Sequence, residues 1–157
     1  MDIRGMGLAL LVLLGTGCGA DEIVACNGQF NIAPGFNPNQ YAAIKSAADR
    51  WNKFAGRDVI NLSVGVGIDH VCTIRPGDPN PRREPNVFGR TYLLRYEIVL
   101  DAQHLNWVQL EQVTAHEFGH ALGLSHVSDP DATMNRLASS EFTDADLAEC
   151  RRVGVCD

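Results

Sequence analysis

His116-Glu117-Phe118-Gly119-His120-Ala121-Leu122-Gly123-Leu124-Ser125-His126 sets three histidines, a glutamate and two glycines at fixed offsets. At 3.6 residues per turn, positions four apart lie about 40° apart around a helix axis. His116 and His120 therefore project from one face, one turn apart, and both can reach one metal ion. Glu117 borders that face, near enough to act on water at the ion without being a ligand. Gly119 reads as keeping the helix slim where metal and substrate approach. A straight helix would carry His126 about 240° away from the metal. The helix must therefore break, and Gly123 stands where the break is required: glycine adopts positive φ at little cost and swings the chain back.

This donor set implies a catalytic zinc. Three neutral imidazoles hold zinc tetrahedrally at about 2.0–2.1 Å with one position open to water. Zinc lowers the pKa of such a water from 15.7 to about 7. Glu117 would then serve as the general base, taking the proton as the water attacks a peptide carbonyl and delivering it to the leaving amine.

The rest of the chain supplies a scaffold. Gln29 to Ala33 reads as a first strand ended by Pro34-Gly35. Asn37-Pro38 opens a helix running to about Phe54, with a capping side chain followed by proline. Tyr41, Ile44, Ala48, Trp51 and Ala55 form its buried stripe, Asp49 and Lys53 pair on its outer face, and Gly56 stops it. Strands are expected over Val59–Val66 and His70–Ile74. Arg75 to Asn86, with four prolines, reads as a surface loop, and Arg82, Arg83 and Arg90 as a small basic patch, read as solvated charge with a recognition surface as the alternative. Val87 to Asp101 is one long strand or two strands bent near Leu94. The helix carrying the motif starts near Asn106 and ends at Leu122. Thr143, with Asp146 three residues on, caps a last helix whose Leu147 and Cys150 face inward.

Composition places the chain. Its 157 residues, 45% hydrophobic and 20% charged, suit one compact domain and exclude a disordered chain. A net charge of −6 argues against a nucleic-acid partner. Arg4 precedes the apolar run Gly7 to Leu14, too short to span a bilayer and matching a secretory signal. Gly15-Thr16-Gly17 before Cys18 resembles a bacterial lipoprotein signal, with Cys18 as the lipidated N-terminus. Cleavage after Ala20 and plain secretion is the alternative. Residues 1–17 are thus expected to be a signal, 18–28 a tether and 29–157 a single domain, exported and anchored to the cell envelope by lipid. Cys26, Cys72, Cys150 and Cys156 remain, an even set for two disulfides. Three pairings are open. Cys150 with Cys156 is attractive because Gly154 can turn the chain between them, which leaves Cys26 to Cys72 across about 45 residues. Free buried thiols are the alternative.

The eleven-residue motif resembles that of the metzincin zinc endopeptidases, closest to their matrixin branch. Ala132-Thr133-Met134-Asn135 resembles the methionine turn beneath the metal in that family. The resemblance implies His116, His120 and His126 as ligands of a single zinc, Glu117 as base, and Met134 as the floor of the site. It also implies an α+β, metzincin-like zincin fold: a twisted mixed sheet of four to five strands, an N-terminal scaffold helix, the active-site helix and a C-terminal helix after the methionine turn. An extended polypeptide substrate would add to a strand within 87–100. There is no room between Cys18 and Gln29 for the inhibitory prodomain common among matrixins. No glycine-rich calcium loop or second zinc site is evident, and Asp69-His70 and His104 read as surface residues, so calcium is not expected as a firm requirement. Arg136 stands where some metzincins place a tyrosine. The residues after Met134, Asn135 to Ala138, are expected to build the pocket that selects the substrate. A monomer is expected. A non-catalytic zinc-binding envelope lipoprotein is the alternative, and Glu117 argues against it: a pure binding site has no need of a carboxylate beside the open position.

Overall fold

The computed structural model describes residues 26–65, 71–80, 84, 87–139 and 141–157. The signal segment, Cys18, most of the tether, Asp69, His70, Arg82 and Arg83 lie outside the described residues. Among the described residues no helix is long and apolar enough to cross a membrane.

Among the described residues five strands form one mixed sheet: β1 (Gln29–Ile32), β2 (Asn61–Val64), β3 (Cys72–Pro76), β4 (Gly89–Tyr92) and β5 (Glu97–Leu100), in the order β2-β1-β3-β5-β4. The first four in that order run parallel, and β4 alone is antiparallel, on β5. The stretch from Val87 is therefore two strands. A single 3-10 turn, Leu93–Arg95, followed by Tyr96 at φ 51°, reverses the chain at the bend expected near Leu94. β3 extends two residues beyond the expected end: Arg75 and Pro76 pair with Val99 and Leu100.

Helix α1 (Pro38–Ala55) begins on Asn37, whose side chain accepts from Gln40 N–H while the Gln40 side chain accepts from Asn37 N–H. It ends at Gly56, left-handed at φ 72°. Ala43, Ile44, Ala47, Ala48, Trp51 and Ala55 are buried; Tyr41 is only half-buried. On the outer face Asp49 pairs with Lys45 at 2.7 Å rather than with Lys53. Both lysines lie one turn from Asp49, and helical spacing does not choose between them.

Helix α2 (Trp107–Ala121) repeats the reciprocal cap with Asn106 and Gln109. It docks on α1 through polar contacts set within an apolar core. Trp51 Nε1–H donates to Ala115 O at 2.7 Å, and Arg50 grips both oxygens of buried Glu111 at 3.0 Å. Phe30 of β1 meets Phe118 of α2 edge-on at 4.9 Å. Ile74, Ile98 and Leu100 share the same core with Ile44, Trp51 and Leu110. The sheet thus supports α2 along its length, with edge strand β4 beside it. Helix α3 (Asp144–Arg152), capped by Thr143, closes the molecule with Cys150 buried and Leu147 packed against the core. Disulfides join Cys26 to Cys72 and Cys150 to Cys156, with Gly154 at φ 76° between the latter pair.

Candidate metal centre

His116 and His120 stand one turn apart near the end of α2, His116 buried and His120 half-buried. After Ala121 the helix stops. Gly123 takes φ 95°, its N–H bonds His120 O at 3.0 Å, and Leu124 N–H returns to Gly119 O at 2.9 Å. This break redirects the chain, and His126 comes back over the helix end. The Nε2 atoms of His116 and His120 are 3.0 Å apart, and each lies 3.2 Å from Nε2 of His126. Two ligands about 2.0–2.1 Å from a tetrahedral ion stand roughly 3.3 Å apart. The three ring nitrogens are spaced accordingly.

Hydrogen bonding fixes which nitrogen is available. His116 Nδ1 lies 2.8 Å from Thr133 O, and His120 Nδ1 lies 2.9 Å from Leu124 O. A carbonyl only accepts, so in both rings Nδ1 carries the hydrogen and Nε2 presents a lone pair. Lone pairs converging on one point repel unless a cation sits among them. Protons are poor candidates: burial, then the neighbouring His120 and His126, holds His116 down to about 3. Partial desolvation, then the neighbouring His120 and Arg136, holds His126 down to about 4. The chemistry of the donor set fits zinc.

Glu117 is almost wholly buried beside this cluster. Burial pushes its carboxyl up, opposed by His120 and by a hydrogen bond from Thr91. Thr91 Oγ1–H donates to Glu117 Oε2 at 2.6 Å. Thr91 belongs to β4, and so does Gly89, which faces the same side chain. A Cβ at Gly89 would stand 2.8 Å from Glu117 Cγ and 2.6 Å from Val113 Cγ1. Strand and helix can approach this closely only because that position has no side chain.

Met134 is fully buried in the turn of Asp131–Leu137. Gly119 faces this floor, not the cleft: a Cβ there would overlap Met134 Sδ and come within 3.1 Å of Trp51. The expectation that Gly119 makes room for substrate is thereby corrected. The methionine turn is itself held from α3. Buried Asp146 accepts from Thr133 N–H at 3.0 Å, Met134 N–H at 2.8 Å and Thr143 N–H at 2.9 Å. Thr133 O is the acceptor that orients His116, so α3 reaches the first histidine through two hydrogen bonds in series.

Sequence reasoning foresaw the convergence of His116, His120 and His126, the break at Gly123 and the buried Met134. It missed Thr91, Gly89 and Thr133, and gave Asp146 only a capping role. No local pattern marks the first three, because their partners are distant in sequence. His104 is exposed and bonds Asp101. Arg136 and Leu137 are exposed, while Asn135 ties its own loop to Asp129 O at 2.9 Å.

No curated protein matches the chain. The family model described as matrixin matches residues 32–150, which take in β2 to β5, the three-histidine cluster and most of α3. That match, with the five-stranded sheet and the His116, His120 and His126 cluster in one α+β domain, means that the chain belongs to the matrixin family of zinc metalloproteases.

Proposed function

We propose that the chain is an endopeptidase whose zinc is held by His116, His120 and His126 and whose general base is Glu117. The observation that carries this is the buried carboxylate of Glu117 beside three converging lone-pair nitrogens. Metal storage gives no reason for such a carboxylate, and the non-catalytic alternative is not favoured. Zinc, when bound, supplies Lewis acidity for water and for the carbonyl of the scissile bond.

The protein's own groups do the rest. Thr91 holds Glu117 Oε2 and leaves Oε1 to take a proton from the attacking water. As the water oxygen bonds to the carbonyl carbon and the C–N bond breaks, Glu117 returns that proton to the leaving nitrogen. Burial raises the affinity of this carboxyl for a proton, which suits a group that must hold one between two steps. β4 lies at the end of the sheet, with β5 on one side. Its other edge offers backbone N–H and C=O groups to an extended polypeptide, which would lie across the histidines. The segment Asn135 to Ala138, with Ala138 at φ 47°, would wall the pocket receiving a substrate side chain.

The N-terminal motif supports export, with Cys18 as a lipid anchor on the cell envelope and residues 29–157 as one monomeric catalytic domain. The two disulfides are in keeping with an oxidising compartment.

The test pairs metal analysis with hydrolysis of an unfolded protein. The purified domain is expected to hold one zinc, and chelation to stop cleavage. Glu117→Ala should keep its zinc and lose at least ~10²-fold in rate. Full activity in that variant refutes the role of Glu117, and undiminished zinc binding by His126→Ala refutes the ligand set.

A further inference from the structure

We propose that Glu149, on the last turn of α3, is a positioning residue for two of the three histidines, acting through one peptide group. The inference rests on the zinc reading of the site. Its starting point is an asymmetry among the rings. His116 and His120 each have Nδ1 tied to a backbone carbonyl. Among the described residues nothing bonds His126 Nδ1, and His126 is also the most exposed of the three. Its ring therefore depends on how its backbone is held.

Two bonds hold that backbone. Val127 N–H donates to Met134 O at 3.0 Å on one side, and Ser125 N–H donates to Glu149 Oε1 at 2.8 Å on the other. Ser125 is itself exposed, so packing does not fix it. Glu149 is a firm anchor: its side chain is only 12% exposed, and Arg152 bonds both of its oxygens at 2.6 and 2.7 Å.

The same bond reaches His120. Ser125 N and Leu124 O belong to one planar peptide group, which cannot turn at one end without turning at the other. Leu124 O accepts from His120 Nδ1–H. Glu149 thus fixes the plane whose carbonyl end orients His120 and whose amide end begins the residue before His126. Accepting at the amide also polarises the group, making the carbonyl a stronger acceptor for the ring. A carboxylate supporting a metal-binding histidine commonly touches the ring; here a peptide is interposed.

The experiment measures zinc affinity by competition with a chelator, the visible spectrum of the cobalt-substituted protein, and thermal unfolding of the metal-free protein. Glu149→Ala removes the acceptor. Glu149→Asp keeps the charge for Arg152 but withdraws the oxygens by one methylene, and Glu149→Gln keeps an oxygen within reach of Ser125. Alanine and aspartate are expected to weaken zinc about tenfold and alter the cobalt bands, with the metal-free aspartate variant melting where wild type does. Glutamine is expected to retain wild-type affinity. Unchanged zinc affinity and cobalt bands in the aspartate variant overturn the inference, as does a glutamine variant as weak as alanine. Wild-type protein that takes up no zinc overturns the proposed function itself, and the positioning role with it.

Discussion

Asp146→Asn is the substitution in which the structure commits itself most sharply. The carboxylate is fully buried and accepts three backbone N–H groups, two at Oδ2 from Thr133 and Thr143 and one at Oδ1 from Met134. Asparagine keeps one oxygen. In its better orientation that oxygen serves Thr133 and Thr143, and the amide NH2 is left facing Met134 N–H, donor against donor. The loss is one buried hydrogen bond to a charged acceptor, about 1.5–3 kcal/mol, together with weakening of the two that remain. About 3 kcal/mol is expected in all, a large share of the 5–15 kcal/mol typical of a domain. Urea unfolding of the metal-free protein, disulfides intact, measures it. The damage should also travel: Thr133 O orients His116, so zinc affinity should fall roughly 10- to 100-fold, as when a partner of a metal-binding histidine is lost. A stability loss under about 1 kcal/mol, or an unaltered zinc affinity, would show that α3 does not support the methionine turn as described.

Two further outcomes follow from the same geometry. Gly89→Ala places a methyl group 2.8 Å from Glu117 Cγ and 2.6 Å from Val113 Cγ1, so Glu117 must shift while the histidines stay. Turnover should fall on the order of 10²-fold with zinc affinity unchanged, the scale of a 1 Å misplacement of a reacting group; comparing kcat with metal content checks this, and normal turnover contradicts the packing. Acidification should destabilise the metal-free protein. His116 and His126 have folded pKa values of about 3 and about 4, below the ordinary 6.5, so the unfolded chain binds more protons once the pH drops below 6.5. Their contribution is complete above 6.5 and is lost as the pH falls toward 4 and then 3, with a slope of at most about 1.4 kcal/mol per unit from His116. Glu117 is shifted upward and opposes this trend, so the measurement is made in Glu117→Gln between pH 7 and 5. A flat profile there contradicts the neutral, converging rings.

What the sequence could show was set by how far each interaction reaches. His116, His120 and Gly123 obey one helical period and one backbone rule, and these act within eight residues. The same holds for the caps Asn37, Asn106 and Thr143 and for the stop at Gly56. Thr91 and Gly89 are a different matter. They touch Glu117 because β4 turns back antiparallel on β5 through the Leu93–Arg95 bend and so lies alongside α2. No spacing in the chain encodes that approach. Gly119 shows the difference within the motif itself. On a helical wheel it stands about 60° from His116, on the side away from Glu117, and the sequence gives no sign of which neighbour fills that side. Met134, fifteen residues later, fills it because Asp146 pulls the turn under the helix. The disulfide pairing was undecided for the same reason: only the register that sets Phe30 beside Cys72 brings Cys26 within reach of its partner. The donor set is therefore written locally, while the groups that hold Glu117 come from β4, and the turn that orients His116 is held from α3. A chain carrying the eleven-residue motif without Thr91, Gly89 and Asp146 would present the same donors and lack the supports that place Glu117 and the first histidine.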